Sequence, residues 1–110
     1  AGEMKHGPIA LIDNSVPIIC VLTTSRNYDK MLSNVREVAA RKGILIGIVS
    51  EGDVQAREFL DHYIEIPALD ELFSPTLVAI CFQYLAYFVA VARGQDVDQP
   101  RNLAKSVTVE

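Results

Sequence analysis

Val16-Pro17-Ile18-Ile19-Cys20-Val21-Leu22 and Ile44-Leu45-Ile46-Gly47-Ile48-Val49 decide the fold, because the two runs are apolar on consecutive positions and are separated by a segment of different period. A run rich in branched residues that does not alternate with polar ones has the composition of a strand covered on both faces. Between the runs, Tyr28, Met31, Leu32, Val35, Val38 and Ala39 recur at spacings of three and four, with Arg36, Glu37, Arg41 and Lys42 on the other side. That spacing predicts an amphipathic helix over Asn27 to Lys42, with Gly43 as its C-terminal stop. The alternation continues: Asp53 to Leu60 reads as a short helix, and Tyr63 to Ile66 as a third strand ending at Pro67. Strands alternating with helices imply right-handed crossovers and a parallel sheet, so the expected class is α/β, a three-layer α/β/α sheet with helices on both sides. Three strands are few for such a sheet, so an incomplete one with a raw edge is expected.

On the N-terminal side, Gly7-Pro8 restricts the backbone just after His6, Ile9, Leu11 and Ile12 are candidates to pack inward, and Asp13-Asn14-Ser15 reads as a turn. On the C-terminal side, Ser74-Pro75 places a capping hydroxyl before a proline at the first helical position, and the predicted helix runs to Arg93, stopped by Gly94. From Leu77 to Ala92 it is apolar nearly all round, broken by Gln83. Sixteen residues rise only about 24 Å, short of a hydrocarbon core of about 30 Å, so the expectation is a buried helix rather than a membrane span, packed on the sheet with one face and on a partner subunit or subdomain with the other. The last stretch, Asp96 to Glu110, sustains no period and is interrupted by Pro100; residues 1–95 and 96–110 are therefore read as a domain portion and a tail.

The composition narrows the function classes. Half of the 110 residues are hydrophobic, so a core is available. A net charge of −4 with ten scattered basic residues argues against a nucleic-acid or anionic-membrane surface, either of which needs a basic patch. Cys20 and Cys81 both lie inside apolar runs, the setting of a buried free thiol and of a reduced, cytoplasmic protein. The first residues are not those of a signal peptide. No metal and no cofactor is expected.

Three places hold candidate chemistry. The hydroxyl cluster Thr23-Thr24-Ser25 sits at the predicted carboxyl end of a strand and before a helix, where amides and hydroxyls suit an anion, but the signal is weak and Ser25 as a simple helix cap is the favoured reading. His6 carries an imidazole that titrates near neutral pH and can exchange a proton with a hydroxyl, whereas His62 reads as a surface or strand-edge residue. Lys105 is a lone amine between the small residues Ala104 and Ser106.

Two longer motifs bracket the chain. Ala1-Gly2-Glu3-Met4-Lys5-His6-Gly7-Pro8-Ile9-Ala10-Leu11-Ile12-Asp13 resembles the AGE-x-KHGP segment of the glucosamine-6-phosphate synthase family, in its second sugar-isomerase (SIS) subdomain, and the run from Asp96 to Glu110 resembles the same family's C-terminal signature. The resemblance implies a sheet of the SIS, flavodoxin-like type and a parent enzyme that makes glucosamine 6-phosphate and glutamate from fructose 6-phosphate and glutamine. It also implies roles. Lys105, matching the lysine of the Leu-Ala-Lys-Ser-Val-Thr-Val-Glu ending, would trap the opened ketose as an imine, its pKa lowered by desolvation under the tail. Ala104 would touch the sugar through its backbone, and His6 would assist ring opening in the active site of the neighbouring subunit, so a homodimer is implied. The family's proton-shuttling glutamate and its glutaminase domain lie upstream of the first motif. Glu3 is not that glutamate, and neither cysteine is an N-terminal nucleophile.

Beginning at Ala1 inside such a motif, the chain reads as a piece of a longer polypeptide, with parts of a site and no complete one, and the isolated piece is expected to be inactive. The alternatives are a SIS-type sugar-phosphate deglycase or isomerase without glutaminase activity, against which the intact tail speaks, and a non-catalytic sugar-phosphate-binding regulatory module, which needs no imine-forming amine.

Overall fold

The computed structural model describes residues 2–99. Two 3-10 turns, Met4–His6 and Pro8–Leu11, precede β1 (Pro17–Leu22), α1 (Tyr28–Ala39), β2 (Ile44–Ser50), α2 (Val54–Arg57), β3 (His62–Ile66) and α3 (Ser74–Ala92). The chain divides into two compact units, Ala1–Val78 and Ala79–Glu110. The first holds the sheet, three parallel strands in the order β1-β2-β3.

The register pairs Cys20 with Gly47 and Leu22 with Val49, and Gly47 in turn with Tyr63. Side chains alternate across a strand, so Cys20, Leu22, Leu45 and Val49 share one face. On that face they form a core with Leu32, Val35 and Val38 of α1 and Ala56 of α2. The predicted apolar stripe of α1 is thus the buried one, with Tyr28, Met31 and Ala39 packed at its margin. Both crossover helices lie over the same face. Two crossovers of one hand that advance in one direction, β1 to β2 to β3, leave their helices on a single side. The opposite face is covered in part: Ile48 and Ile66 are buried there, while Ile19 and Ile64 are exposed, and both crossover helices belong to one layer of the expected three-layer sheet.

Local details depart from expectation at three places. Gly43 is not the left-handed stop of α1: that conformation falls to Lys42, at φ 63°. Gly43 is required for closeness, since a Cβ there would fall on Ile18 Cδ1 and 2.7 Å from Ile12 Cγ2. Leu11 does not pack inward but is 78% exposed, because the 3-10 turn that carries it brings Ile12 to the core instead. The short helix after β2 is one turn, opened by Asp53, whose Oδ1 accepts from the Ala56 N–H at 3.0 Å.

α3 forms as expected and ends at Gly94, at φ 65°. The Gly94 N–H donates to the Val91 carbonyl and the Gln95 N–H to the Ala90 carbonyl, both at 2.9 Å, the paired bonds of a Schellman cap. Its burial differs from expectation: among its described residues only Ser74 is buried, and Tyr84 and Phe88 are about 60% exposed. It begins three residues before Leu77, and its 19 residues make it the one helix among the described residues long and apolar enough to cross a membrane by length and composition.

Candidate functional site

A parallel sheet presents its ligand-facing rim at the carboxyl ends of the strands, where the first helical amides and the loops meet. Here that rim is built from the turns after β1 and β2 and from the segment leading into α3. After β1, the chain turns through Thr23-Thr24-Ser25. The Thr24 N–H donates to Ser50 Oγ at 2.9 Å, and the Thr24 hydroxyl lies 3.1 Å from the same oxygen, so the ends of two adjacent strands are tied by hydroxyls. Ser25 does not cap α1 with its side chain; its carbonyl accepts from the Tyr28 N–H at 3.1 Å.

After β2, Gly52 at φ 79° turns the chain toward Asp53. The Tyr28 hydroxyl donates to Asp53 Oδ2 at 2.6 Å, and burial, followed by the bond and charge of Asp53, pushes the phenol well above its usual range. Asp53 therefore holds the start of α1 to the start of α2. Thr24, Tyr28, Ser50, Glu51 and Asp53 line an open crevice of about 490 Å³. Its carboxylates argue against an anion in that place, which removes the phosphate reading of the hydroxyl cluster on this side.

On the other side of the β1 turn, the Arg26 N–H donates to Glu71 Oε2 at 3.2 Å, and Arg26 Nε lies 3.5 Å from the same oxygen. The Ser74 hydroxyl donates to the Glu71 carbonyl at 3.0 Å, and Asp70 Oδ1 accepts from the Leu72 N–H at 2.9 Å. These bonds hold the turn after β1 against the entry to α3 and border a crevice of about 740 Å³. No sequence pattern announced the Arg26–Glu71 pair, since the partners are 45 residues apart and Glu71 sits in a stretch without period.

The predicted site residues are distributed otherwise. His6 ends the first 3-10 turn and is exposed, its N–H donating to the Glu3 carbonyl at 3.1 Å. Ala104 and Lys105 lie outside the described residues. Of the three, His6 alone is among the described residues. His62 is exposed on β3, an outer strand of the sheet, as expected. Cys20 and Cys81 are free; Cys20 is buried, which pushes its thiol up. Among the described residues no group of three or more His, Cys, Asp or Glu side chains is arranged to hold a metal ion.

Comparison with known proteins places this geometry. The chain is 51% identical over its whole length to glutamine–fructose-6-phosphate aminotransferase [isomerizing] of Bacteroides thetaiotaomicron, and spans 18% of that protein. It is 52% identical to the protein of the same name from Aquifex aeolicus, again over its whole length and 19% of the relative. A solved structure, the C-terminal domain of glucosamine-fructose-6-phosphate aminotransferase from Francisella tularensis, superposes with a TM-score of 0.80 at 42% identity, covering 90% of this chain and 28% of that one. The chain therefore corresponds to a small part, under one fifth, of the curated relatives it matches. The SIS domain profile matches residues 1–92, which takes in the 3-10 turns, the sheet and α3 to its last residue. With the parallel α/β sheet in agreement, the chain belongs to the SIS domain family.

Proposed function

We infer that the chain is the C-terminal part of the isomerase portion of an enzyme that converts fructose 6-phosphate and glutamine to glucosamine 6-phosphate and glutamate, with residues 1–95 as domain and 96–110 as a site-forming tail. The observation that carries this reading is the extent of the similarity: about half of all positions agree over the full 110 residues, so the opening motif and the tail lie within one alignment. In this reading the Lys105 amine attacks the C2 carbonyl of the open-chain ketose, a C–N bond forms, and water leaves as the imine closes. The imine holds the sugar until ammonia replaces the lysine. The Ala104 backbone contacts the sugar, and His6 moves a proton during ring opening.

An exposed His6 agrees with a role in a neighbouring subunit's site, because it is free to meet groups from outside its own chain. The exposed apolar surface of α3, Tyr84, Leu85, Phe88 and Val89 among it, has the character of a surface covered by other protein. Because the SIS match runs through this helix, we read that cover as the upstream SIS and glutaminase parts of the same polypeptide and a second copy in a homodimer, and not as lipid. A cytoplasmic location and no nucleic-acid partner accompany this reading.

The test is borohydride trapping with fructose 6-phosphate, read by peptide mass spectrometry on this chain and on a longer polypeptide that includes the upstream domains. Hydride reduces the imine to a stable secondary amine. The expected result is a hexose phosphate adduct on Lys105 of the longer polypeptide and none on the chain alone. An active longer polypeptide with no adduct on Lys105 would refute the covalent role, and sugar-phosphate binding that survives Lys105→Ala in an inactive protein would favour a regulatory module instead.

A further inference from the structure

The segment that carries His6 meets the core through one of its own side chains. In Glu3-Met4-Lys5-His6-Gly7-Pro8, Met4 alone is not exposed. It packs at the margin of the core, and with Cys20, Val21, Met31, Val35 and Val38 it lines a largely apolar cavity of about 270 Å³ between β1 and α1. An unbranched thioether adapts to an irregular gap of this kind. The turn itself is weak. It is three residues long, Met4–His6, and the His6 N–H closes it on the Glu3 carbonyl at 3.1 Å. A single 3-10 turn fixes several dihedrals for one bond of poor geometry, so it has little stability of its own.

At three residues per turn, each residue projects about 120° from the one before. With Met4 directed to the core, Lys5 and His6 take the remaining two sides, and both are exposed. The seat of one side chain therefore sets the direction of the imidazole two residues on. The next hydrophobic residue packed on that core is Ile12, beyond a second 3-10 turn, so without Met4 the stretch bearing His6 is anchored at one end only. Proton exchange with a sugar hydroxyl needs the imidazole within hydrogen-bond reach, and a displacement of about 1 Å can cost about a hundredfold in rate. We propose that Met4 is the positioning residue for His6, its side chain fixing to the cavity between β1 and α1 the turn from which the imidazole meets the sugar. The proposal rests on the reading of His6 as the group that moves a proton during ring opening. On this account the x of the AGE-x-KHGP segment is restricted to a side chain that fills the gap.

The experiment measures kcat/KM for fructose 6-phosphate, with glutamine saturating, on the longer polypeptide that includes the upstream domains. The unaltered protein is compared with Met4→Ala, Met4→Leu, His6→Ala and the double variant Met4→Ala/His6→Ala, each checked by thermal unfolding. His6→Ala should be slower by about a hundredfold or more, and Met4→Ala by about tenfold to a hundredfold. Met4→Leu, of similar volume, should restore most of the rate. The double variant should be no slower than His6→Ala, because a residue that acts through the imidazole then has nothing left to position. A merely structural role predicts losses that multiply. The proposal is overturned, with the role of His6 intact, if His6→Ala is slow while Met4→Ala keeps the full rate, if the two losses multiply, or if Met4→Leu is as slow as Met4→Ala. A fully active His6→Ala would instead refute the ring-opening reading, and the proposal with it. Met4→Val, a smaller truncation, takes the place of Met4→Ala in the same cycle should that variant not fold.

Discussion

Gly47 sits in the middle of β2 where it faces Leu60, the residue that follows α2 back toward β3. A Cβ at position 47 would fall on Leu60 Cδ1 and lie 3.1 Å from Cδ2 and 3.2 Å from Cγ, closer than side chains normally approach. Gly47→Ala therefore has two opposing effects. Removing a glycine from a strand interior recovers about 0.5–1 kcal/mol of backbone entropy. Forcing Leu60 off its position in the core margin costs about 1–3 kcal/mol. The difference is a net loss of up to about 2.5 kcal/mol, with a fall in Tm of about 4–8 °C per kcal/mol in a domain of this size. Leu60→Ala alone removes a half-buried side chain at a cost of about 1–2 kcal/mol. In the double variant the new methyl enters the space that Leu60 vacates, so the two losses do not add. Urea denaturation of the four proteins measures this directly, and a favourable coupling of about 0.5–3 kcal/mol is expected. Losses that add to within about 0.3–0.5 kcal/mol would show that Gly47 is not there to admit Leu60.

Other outcomes follow from the rim and the core. Tyr28→Phe deletes the hydroxyl that donates to Asp53 and should cost about 0.5–1.5 kcal/mol by urea denaturation at neutral pH. Because the folded phenol is held above its unfolded value, its contribution is fully present below the unfolded pKa of about 10 and is lost as pH rises beyond it; the variant should lose less stability than the parent over that alkaline range. Thiol labelling under native conditions should modify Cys81 before Cys20, which is 6% exposed and whose thiol burial keeps protonated; equal rates would contradict the burial of β1.

Much of the first unit was legible before any coordinates. The α1 stripe Leu32, Val35 and Val38 is the buried one, and β1, β2 and β3 fall within a residue or so of the runs that predicted them. Gly94 ends α3 as a glycine there should. The misreadings share a cause. Gly43 and Lys42 exchange the roles that local rules assign them, because the space beneath Gly43 is taken by Ile18 and Ile12 from elsewhere in the chain. Leu11 and Ile12 are adjacent and equally apolar, and only the pitch of a 3-10 turn decides which one enters the core.

The candidate site divides in the same way. His6, Ala104 and Lys105 came from contiguous motifs, which a sequence displays in full, and the imine they propose rests on those motifs. The rim came from pairings that no window of the sequence contains: Thr24 with Ser50 across 26 residues, Tyr28 with Asp53 across 25, Arg26 with Glu71 across 45. What the sequence by itself determined was the order and type of the elements, the class of sheet and the family motifs, because periodicity, capping and motif are properties of neighbouring residues. What only the tertiary structure decided was the common face of the two crossover helices and the union of Thr23, Arg26 and Glu71 around one crevice, because parallel strands bring distant loops to one end of the sheet.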